Sequence, residues 1–410
     1  MSKFSALGLN ATLQSNLKHL NYLAPTEIQQ KCISTVLSGN DVYAIAPTGT
    51  GKTAAYVLPI LQKLSLTDHT KDQVRPIRAL FLVPTRELAH QLEESISHYG
   101  KDLKLRTITI SGGVRIESQK KKFKRGTDIL IATPKRLVDL LKLKVFSLEE
   151  VKHFVMDEAD RLVSMGITSD LNKILKAMPK SKQIILFSAT DLKSLNIFAK
   201  ENQSNQKFLS AERNQPALDK IAHTMYRCKR DDKRKNLFKL LDMIDCERAL
   251  IFTRTKIDVN LLTEKLNEQG FVSEGIHNEI PLKKRQQSLR DFKDKKFSFL
   301  VATDLASRGL DIADLFYVIN YDLPVNSNDY IHRVGRTARK GISDQTIAAE
   351  ADKKINSRKL NENPHGKKNI HRGIQGHAFS LVSPQQERLV EKIVKAVGKD
   401  IRVKRFPVNK

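Results

Sequence analysis

Three short stretches hold residue types that, at their spacing, do phosphate chemistry. "AIAPTGTGKTAAY" (44–56) sets glycines, a lysine and a threonine between an apolar run and a helical pattern. In a strand–turn–helix setting the backbone N–H groups from Thr48 through Gly49, Thr50 and Gly51 to Lys52 cradle phosphate, and the helix N-terminus adds a favourable dipole. Lys52 then reaches the β and γ phosphates and the Thr53 hydroxyl holds Mg²⁺. Ala46 stands where the general P-loop pattern has its first glycine. "VMDEAD" (155–160) ends a second apolar run, with Asp157 placed to coordinate Mg²⁺ through water and Glu158 to orient or deprotonate an attacking water. The same acids suit the N-terminus of a helix beginning near Arg161, but Lys52 and Thr53 in the same half favour the catalytic reading. "HRVGRTARKG" (332–341) supplies Arg336 and Arg339, 284 and 287 residues beyond Lys52. Arginines brought from elsewhere in a chain stabilise charge developing on a γ-phosphate. Together these stretches predict ATP hydrolysis with Mg²⁺.

The elements that must position them are short β-branched runs alternating with amphipathic stretches. Buried strands are predicted at 42–46, 79–83, 107–111, 128–132, 153–156 and 183–188, and again at 248–252, 271–276, 297–302, 317–320 and 377–382. Such alternation gives an α/β fold of parallel sheets covered by helices on both faces. The pattern weakens over "ENQSNQKFLSAERNQPALDK" (201–220). The expected organisation is therefore a first domain at 1–210, a short flexible linker at 211–217 and a second domain at 218–400. A basic tail that frays is expected at 401–410.

Composition narrows the partners. The 410 residues carry Lys+Arg 71 against Asp+Glu 45, a formal charge of +26, which favours a nucleic-acid partner. An apolar content of 40% with 28% charge describes a folded globular chain. Three scattered cysteines form no disulfide framework, and no long apolar run or signal peptide is present, so a cytoplasmic protein is expected. Pro84, Thr85, Arg86, Gly113, Thr133 and Arg136 fall in loops after strands of the first half. Arg254, Thr255, Arg285, Thr303 and Arg308 fall in comparable loops of the second. Hydroxyls, amides and arginines at the carboxyl ends of parallel strands suit phosphate and sugar contacts, which carry no sequence information. Aromatics are 6% of the chain and none interleaves with these loops, so base stacking is not indicated.

With these residues in order, the chain resembles the DEAD-box family of ATP-dependent RNA helicases over essentially its whole length. "APTEIQ" (24–29), "VPTRELA" (83–89), "SGG" (111–113), "ATPKRL" (132–137), "DEAD" (157–160) and "SAT" (188–190) carry the resemblance in the first half. "LIFTRT" (250–255), "VATDLASRGLD" (301–311) and "YIHRVGRTAR" (330–339) carry it in the second. The quoted segments around 78–96 and 248–266 look most like the RhlE-type subgroup. The resemblance implies two RecA-like domains and a monomer that binds ATP, Mg²⁺ and RNA, and opens short duplexes. It further implies that Thr26 and Gln29 read adenine while Phe4 stacks on it, and that Asp311 touches the ribose. Pro134 would join the RNA contacts. Ser188, Ala189 and Thr190 would couple hydrolysis to strand separation, and His332 and Arg333 would link the ATP and RNA sites.

Several positions depart from the usual pattern. Lys135 replaces a glycine, "HNE" (277–279) stands where "HGD" is common, Leu282 replaces a glutamine three residues before the retained Arg285, and Ala46 is noted above. Between the last arginine motif and "GHAFSLV" lies a polar insertion at 342–375, about thirty residues longer than an ordinary αβ connection. Its seven basic residues leave two readings, an extra RNA-binding loop or an inert insertion. Two rival functions also stay open: an ATP-gated RNA clamp or scaffold, and a DNA-directed helicase of the wider superfamily.

Overall fold

The computed structural model describes residues 4–46, 50–66, 74–210, 220–304, 315–337, 376–398 and 401–406. The chain separates into two compact units, Met1–Arg213 and Asn214–Lys410. The division falls within 211–217, a segment that lies outside the described residues, as does the insertion at 342–375. Each unit holds a seven-stranded parallel sheet.

In the first unit the strands are β1 (Asp41–Ile45), β2 (Ala79–Leu82), β3 (Thr107–Ile110), β4 (Ile129–Ala132), β5 (His153–Met156), β6 (Gln183–Ser188) and β7 (Gln206–Ser210). Their order across the sheet is β3-β4-β2-β5-β6-β1-β7. Strands β2, β4, β5 and β6 are buried along their whole length, which is why each reads as an unbroken apolar run. Successive side chains still alternate between faces. Val42 and Ala44 join one apolar cluster with Val57, Ile60 and Leu92, while Tyr43 joins the other with Leu137, Leu171 and Leu195. Helices α1 (Ala11–His19), α2 (Glu27–Leu37), α3 (Lys52–Ser65) and α4 (Arg86–Tyr99) supply residues to the first cluster. Helices α5 (Ile116–Lys122), α6 (Pro134–Lys142), α7 (Ala159–Ser164), α8 (Thr168–Lys176) and α9 (Lys193–Asn202) complete the unit.

The second unit repeats the arrangement. Strands β8 (Ile221–Arg227), β9 (Ala249–Thr253), β10 (Ser273–Ile276), β11 (Phe299–Thr303), β12 (Tyr317–Asn320), β13 (Gly376–Val382) and β14 (Arg402–Arg405) run in the order β10-β11-β9-β12-β13-β8-β14. Its helices are α10 (Lys233–Met243), α11 (Lys256–Glu268), α12 (Leu282–Lys293), α13 (Ser327–Val334) and α14 (Glu387–Val397). Position for position the two strand orders correspond, β1 to β8 and β5 to β12.

Three strands depart from the sequence expectation. β7 lies inside the stretch read as a weakening of the pattern, and β8 was not anticipated. The basic tail is in fact strand-forming: Arg402–Arg405 pairs in parallel with Thr224–Arg227 of β8. Both β7 and β14 are partly exposed edge strands; polar residues surround Phe208 and Leu209 in β7, and β14 is lined with charge, which resists pairing with other chains. That same polarity hides them from a search for apolar runs.

Candidate functional site

In the first unit β5, β6 and β1 are neighbours, so the loops leaving their carboxyl ends meet. These loops carry "DEAD", "SAT" and the P-loop. Thr48 and Gly49 lie outside the described residues. Gly51 follows at φ 87°, and a Cβ there would lie 2.3 Å from Gln29 Nε2, so only glycine fits. Gln29 is 1% exposed and donates from Nε2 to the Gly51 carbonyl (3.1 Å), while its Oε1 accepts from Thr26 N (2.9 Å). The Thr26 hydroxyl donates to the Thr50 carbonyl (2.8 Å). Thr26 and Gln29 thus form a capping box for α2 that braces the P-loop backbone. Phe4 is packed in the core near Tyr22, with ring centroids 6.4 Å apart, so it stands as a core residue as well as a candidate for stacking. Buried Ala46 extends the β1 ladder by donating its N–H to the Ser188 carbonyl (3.0 Å).

Lys52 opens α3. Its Nζ is buried with no hydrogen-bond partner among the described residues. An ammonium without a partner in the interior is costly, and a phosphate supplies what it lacks. Thr53 follows it, half-buried. Asp157, directly after β5, accepts from Tyr56 OH through Oδ2 (2.6 Å) and from Glu158 N through Oδ1 (2.8 Å). Burial pushes the Asp157 carboxyl up, against the opposing pull of the Lys52 charge and the Tyr56 hydrogen bond. Glu158 sits at φ 48°, a left-handed conformation that is strained for a residue with a Cβ, and Arg161 lies 3.5 Å from its carboxylate. Its side chain makes no cap hydrogen bond to α7. Asp160 instead receives Arg161 N (3.0 Å) and the Thr190 hydroxyl (2.8 Å). Ser188 and Thr190 close a buried turn, Ser188 Oγ donating to the Thr190 carbonyl (2.5 Å), with half-buried Ala189 between them.

The other half of the same sheet edge, β3-β4-β2, carries the remaining loops of the first unit. Thr85 caps α4 by accepting Leu88 N (3.3 Å), with Pro84 buried before it and Arg86 half-buried after it. Gly113 has φ 76° and would place a Cβ 3.0 Å from the Arg86 guanidinium. Thr133 and Pro134 begin α6, and Arg136 reaches back to the Val114 carbonyl (2.7 Å) and Gln119 Oε1 (3.2 Å). These loops are thus tied to one another.

The second unit repeats that edge with β10-β11-β9. Thr255 caps α11, accepting Asp258 N (3.1 Å), beside an exposed Arg254 whose N–H donates to Asp322 Oδ2 (3.2 Å). Thr303 is buried, with its hydroxyl lacking a partner among the described residues. Arg285 is buried and donates from Nε to the Ile280 carbonyl (3.0 Å). On α13, Arg333 is 2% exposed. Its guanidinium grips Asp304 through Nε (2.5 Å) and Nη2 (2.7 Å) and donates from Nη1 to Asn320 Oδ1 (3.0 Å) and the Asp322 carbonyl (2.6 Å). His332 precedes it on α13, and Arg336 is largely buried on the turn after that helix. Arg308, Asp311 and Arg339 lie outside the described residues.

Several members of this constellation were not singled out from sequence. Tyr56 is four residues after Lys52, hence on the same helical face, a spacing that points it toward the acid. Asp160 was visible only as a letter of "DEAD". Gln119, Asp304 and Asp322 carry no local signal, because their partners lie far along the chain.

Comparison with known proteins agrees with this layout. A family model described as "DEAD/DEAH box helicase" matches residues 26–196, and "Helicase conserved C-terminal domain" matches 232–341. A DEAD-box ATP-dependent RNA helicase CshA of Streptococcus pneumoniae is 37% identical over 88% of this chain and 68% of its own length. The RNA helicase CrhR of Synechocystis is 36% identical over 85% of this chain and 69% of its own. Among solved structures, S. cerevisiae Dbp5 bound to RNA and ADP BeF3 aligns with TM-score 0.78 and 28% identity, covering 99% of this chain and 96% of that one. A DEAD box protein of Methanococcus jannaschii aligns with TM-score 0.54 and 30% identity, covering 99% of each. With its motifs standing at the carboxyl ends of two RecA-like sheets, the chain belongs to the DEAD-box ATP-dependent RNA helicases.

Proposed function

We propose that this protein is an RNA-dependent ATPase that locally opens or remodels short RNA duplexes, with little sequence preference. The observation that carries the reading is the Lys52 ammonium, buried without a partner between the loops of β1, β5 and β6. A triphosphate fits that position. Mg²⁺ characteristically takes one or two carboxylates, several waters and phosphate oxygens. Asp157, through water, and the Thr53 hydroxyl fit such a donor set, and the ion would neutralise phosphate charge there. Glu158 orients and deprotonates the attacking water, and its strained backbone fixes the carboxylate at the head of α7. Thr26 and Gln29 brace the P-loop and, with Phe4, present the adenine-reading edge; Asp311 contributes the ribose contact. Arg336 and Arg339 of the second unit supply charge to the transition state.

Asp160–Thr190 gives "SAT" a direct mechanical link to "DEAD", and Arg333 gives the arginine helix a link to the loops after β11 and β12. Through these contacts ATP and RNA stabilise one conformation together, and hydrolysis releases it. A cytoplasmic monomer acting in ribosome assembly or RNA turnover is consistent with the charge and with cysteines free among the described residues. The test is ATP hydrolysis measured with RNA, with DNA and alone, for the wild type and Glu158→Gln. Stimulation by RNA only, lost in the variant, is expected. Equal stimulation by DNA overturns the RNA assignment, and nucleotide-gated RNA binding without turnover favours a clamp.

A further inference from the structure

The loop holding Gly113 runs into α5 and a 3₁₀ turn, Phe123–Arg125. From 115 to 125 this stretch carries six cations, Arg115, Lys120, Lys121, Lys122, Lys124 and Arg125, against one acid, Glu117. Glu117 is engaged by Lys120 at 2.8 Å, and the Glu93 carboxyl is held down, against its burial, chiefly by the His90 hydrogen bond, with Lys122 a smaller contributor. Arg115, Lys121, Lys124 and Arg125 are exposed and have no ion-pair partner among the described residues.

Helix electrostatics account for part of this only. Lysines in a last turn suit the negative helix end, which covers Lys120 to Lys122. Arg115 stands at the opposite end, where the dipole disfavours a cation, and Lys124 and Arg125 lie beyond the helix. The patch is also held rigidly. Gln119, 2% exposed, donates to the Ser111 carbonyl (2.9 Å) and accepts from Arg136, which grips the Val114 carbonyl as well. Arg106 donates to the Lys122 carbonyl (3.2 Å), and Phe123 stacks on Phe146 with centroids 4.5 Å apart. Charges on an anchored element bind with less ordering cost than charges on a loose one. The placement follows from topology: β3 is the edge strand, so α5 lies outermost beside the loops of β2, β4 and β3.

We propose that the exposed cations of 115–125 form a second RNA track. It takes the phosphates of RNA that continues past the segment held by the loops around Arg86, Gly113 and Arg136. The only aromatic in the stretch, Phe123, is buried against Phe146, so the track has no stacking platform and reads charge alone. This rests on the RNA-binding reading given above. It differs from that reading in predicting that length, rather than presence, of RNA matters.

The test compares the wild type with Lys121→Gln/Lys124→Gln/Arg125→Gln, all solvent-exposed positions whose neutralisation leaves the core intact. Affinities are measured across a salt series for a single strand of about six nucleotides, one of about twenty, and a duplex with a short overhang. Loss of three single-strand phosphate contacts lowers the salt slope by about 2 and weakens the long strand roughly tenfold at low salt, leaving the short strand unchanged. A larger loss on the duplex than on the long strand assigns the track to paired RNA; the reverse assigns it to single-stranded RNA. An unchanged slope on both long ligands overturns the proposal, as does equal loss on short and long strands. RNA-stimulated ATPase of the wild type is the control: its absence would defeat the RNA reading itself, whereas its presence with an unchanged slope defeats the track alone.

Discussion

Lys52 and Lys233 occupy corresponding places in the two units. Each is the first residue of the helix that follows corresponding strands, β1 and β8, and each is buried. Asp157 follows β5 directly, and Asp322 follows the corresponding strand β12 one position farther on, at the register of Glu158. In the second unit the pair is closed: Lys233 Nζ donates to Asp322 Oδ1 (2.8 Å) and to the Tyr321 carbonyl (2.9 Å). In the first unit it is open, with Lys52 unpartnered and Asp157 held by Tyr56 instead. One scaffold therefore yields the proposed phosphate site where lysine and carboxylate are kept apart, and an internal brace where they meet. The opposite sheet edges are alike. Thr85 and Thr255 cap equivalent helices beside Arg86 and Arg254, so both units keep the loops suited to a phosphate backbone.

The largest test of this division concerns Arg336. If only the first unit holds the nucleotide and the second contributes charge to the transition state, Arg336→Ala lowers kcat by about 10³-fold or more while ATP affinity stays within a few-fold. Steady-state hydrolysis together with a nucleotide titration reads both quantities. A fully active variant removes the second unit from the chemistry.

Next in size is the contrast between the two lysines. If Lys52 holds phosphate as proposed, Lys52→Ala removes that contact and relieves an unpartnered buried charge, so ATP binding falls by about two orders of magnitude with little loss of stability. Lys233→Ala strands Asp322, which braces Arg254 through its carboxylate and Arg333 through its carbonyl. A loss of about 3–5 kcal/mol in stability is expected with no direct loss of a phosphate contact. Urea midpoints and nucleotide affinities for both variants separate the roles. Equal stability loss in both would show that the two sites do not differ as described.

How much of this was visible in the chain depended on distance along it. The buried strands were legible because parallel strands covered on both faces leave continuous apolar runs, as in "QIILFS" and "YVIN". The strand–turn–helix settings of Lys52, Asp157 and Glu158 were legible because each lies within one short turn of the chain. β7 and β14 were not, since an edge strand such as "RVKR" gains its stability from a neighbouring strand rather than from its own side chains. The brace was equally hidden: Lys233 and Asp322 lie 89 residues apart, and Arg333 and Asp304 lie 29 apart. Spacing along the chain says nothing of such meetings. The adenine end shows a third kind of difference, because a glutamine read as a ligand contact is also fully engaged as a structural cap.

A smaller effect tests the first unit by pH. His153 and Tyr317 begin β5 and β12 and pair with Ala79 and Ala249 at the same register. Burial, together with the nearby charges of Lys63, Lys152 and Arg78, pushes His153 down to about 4, against the raising effect of its hydrogen bond with Gln183. The folded protein therefore resists a proton that the unfolded chain accepts near pH 6.5. Stability contributed by neutral His153 is present above that value and is lost as pH falls toward about 4, by up to about 3 kcal/mol. In His153→Gln the urea midpoint should change less over this window than in the wild type. Parallel curves would show that the histidine does not contribute.

The smallest effect concerns what keeps Asp157 apart from Lys52. Tyr56 donates to Asp157 Oδ2 at 2.6 Å, and that hydrogen bond lowers the carboxyl that burial raises. Tyr56→Phe keeps the packing against Phe81 and Phe187 but removes the donor. Asp157 then titrates higher, and the acid limb of the kcat/KM profile moves to higher pH. The loss amounts to about 1 kcal/mol, roughly fivefold in kcat/KM near the acid limb and less above it. Removing the hydroxyl alone changes the field at the carboxylate, whereas Tyr56→Leu changes packing too, so comparing the variants separates the two causes. If Tyr56→Phe lowers activity equally at every pH, the hydroxyl holds Asp157 in place without tuning its charge. In that case the open state of the Lys52–Asp157 pair is a matter of geometry alone.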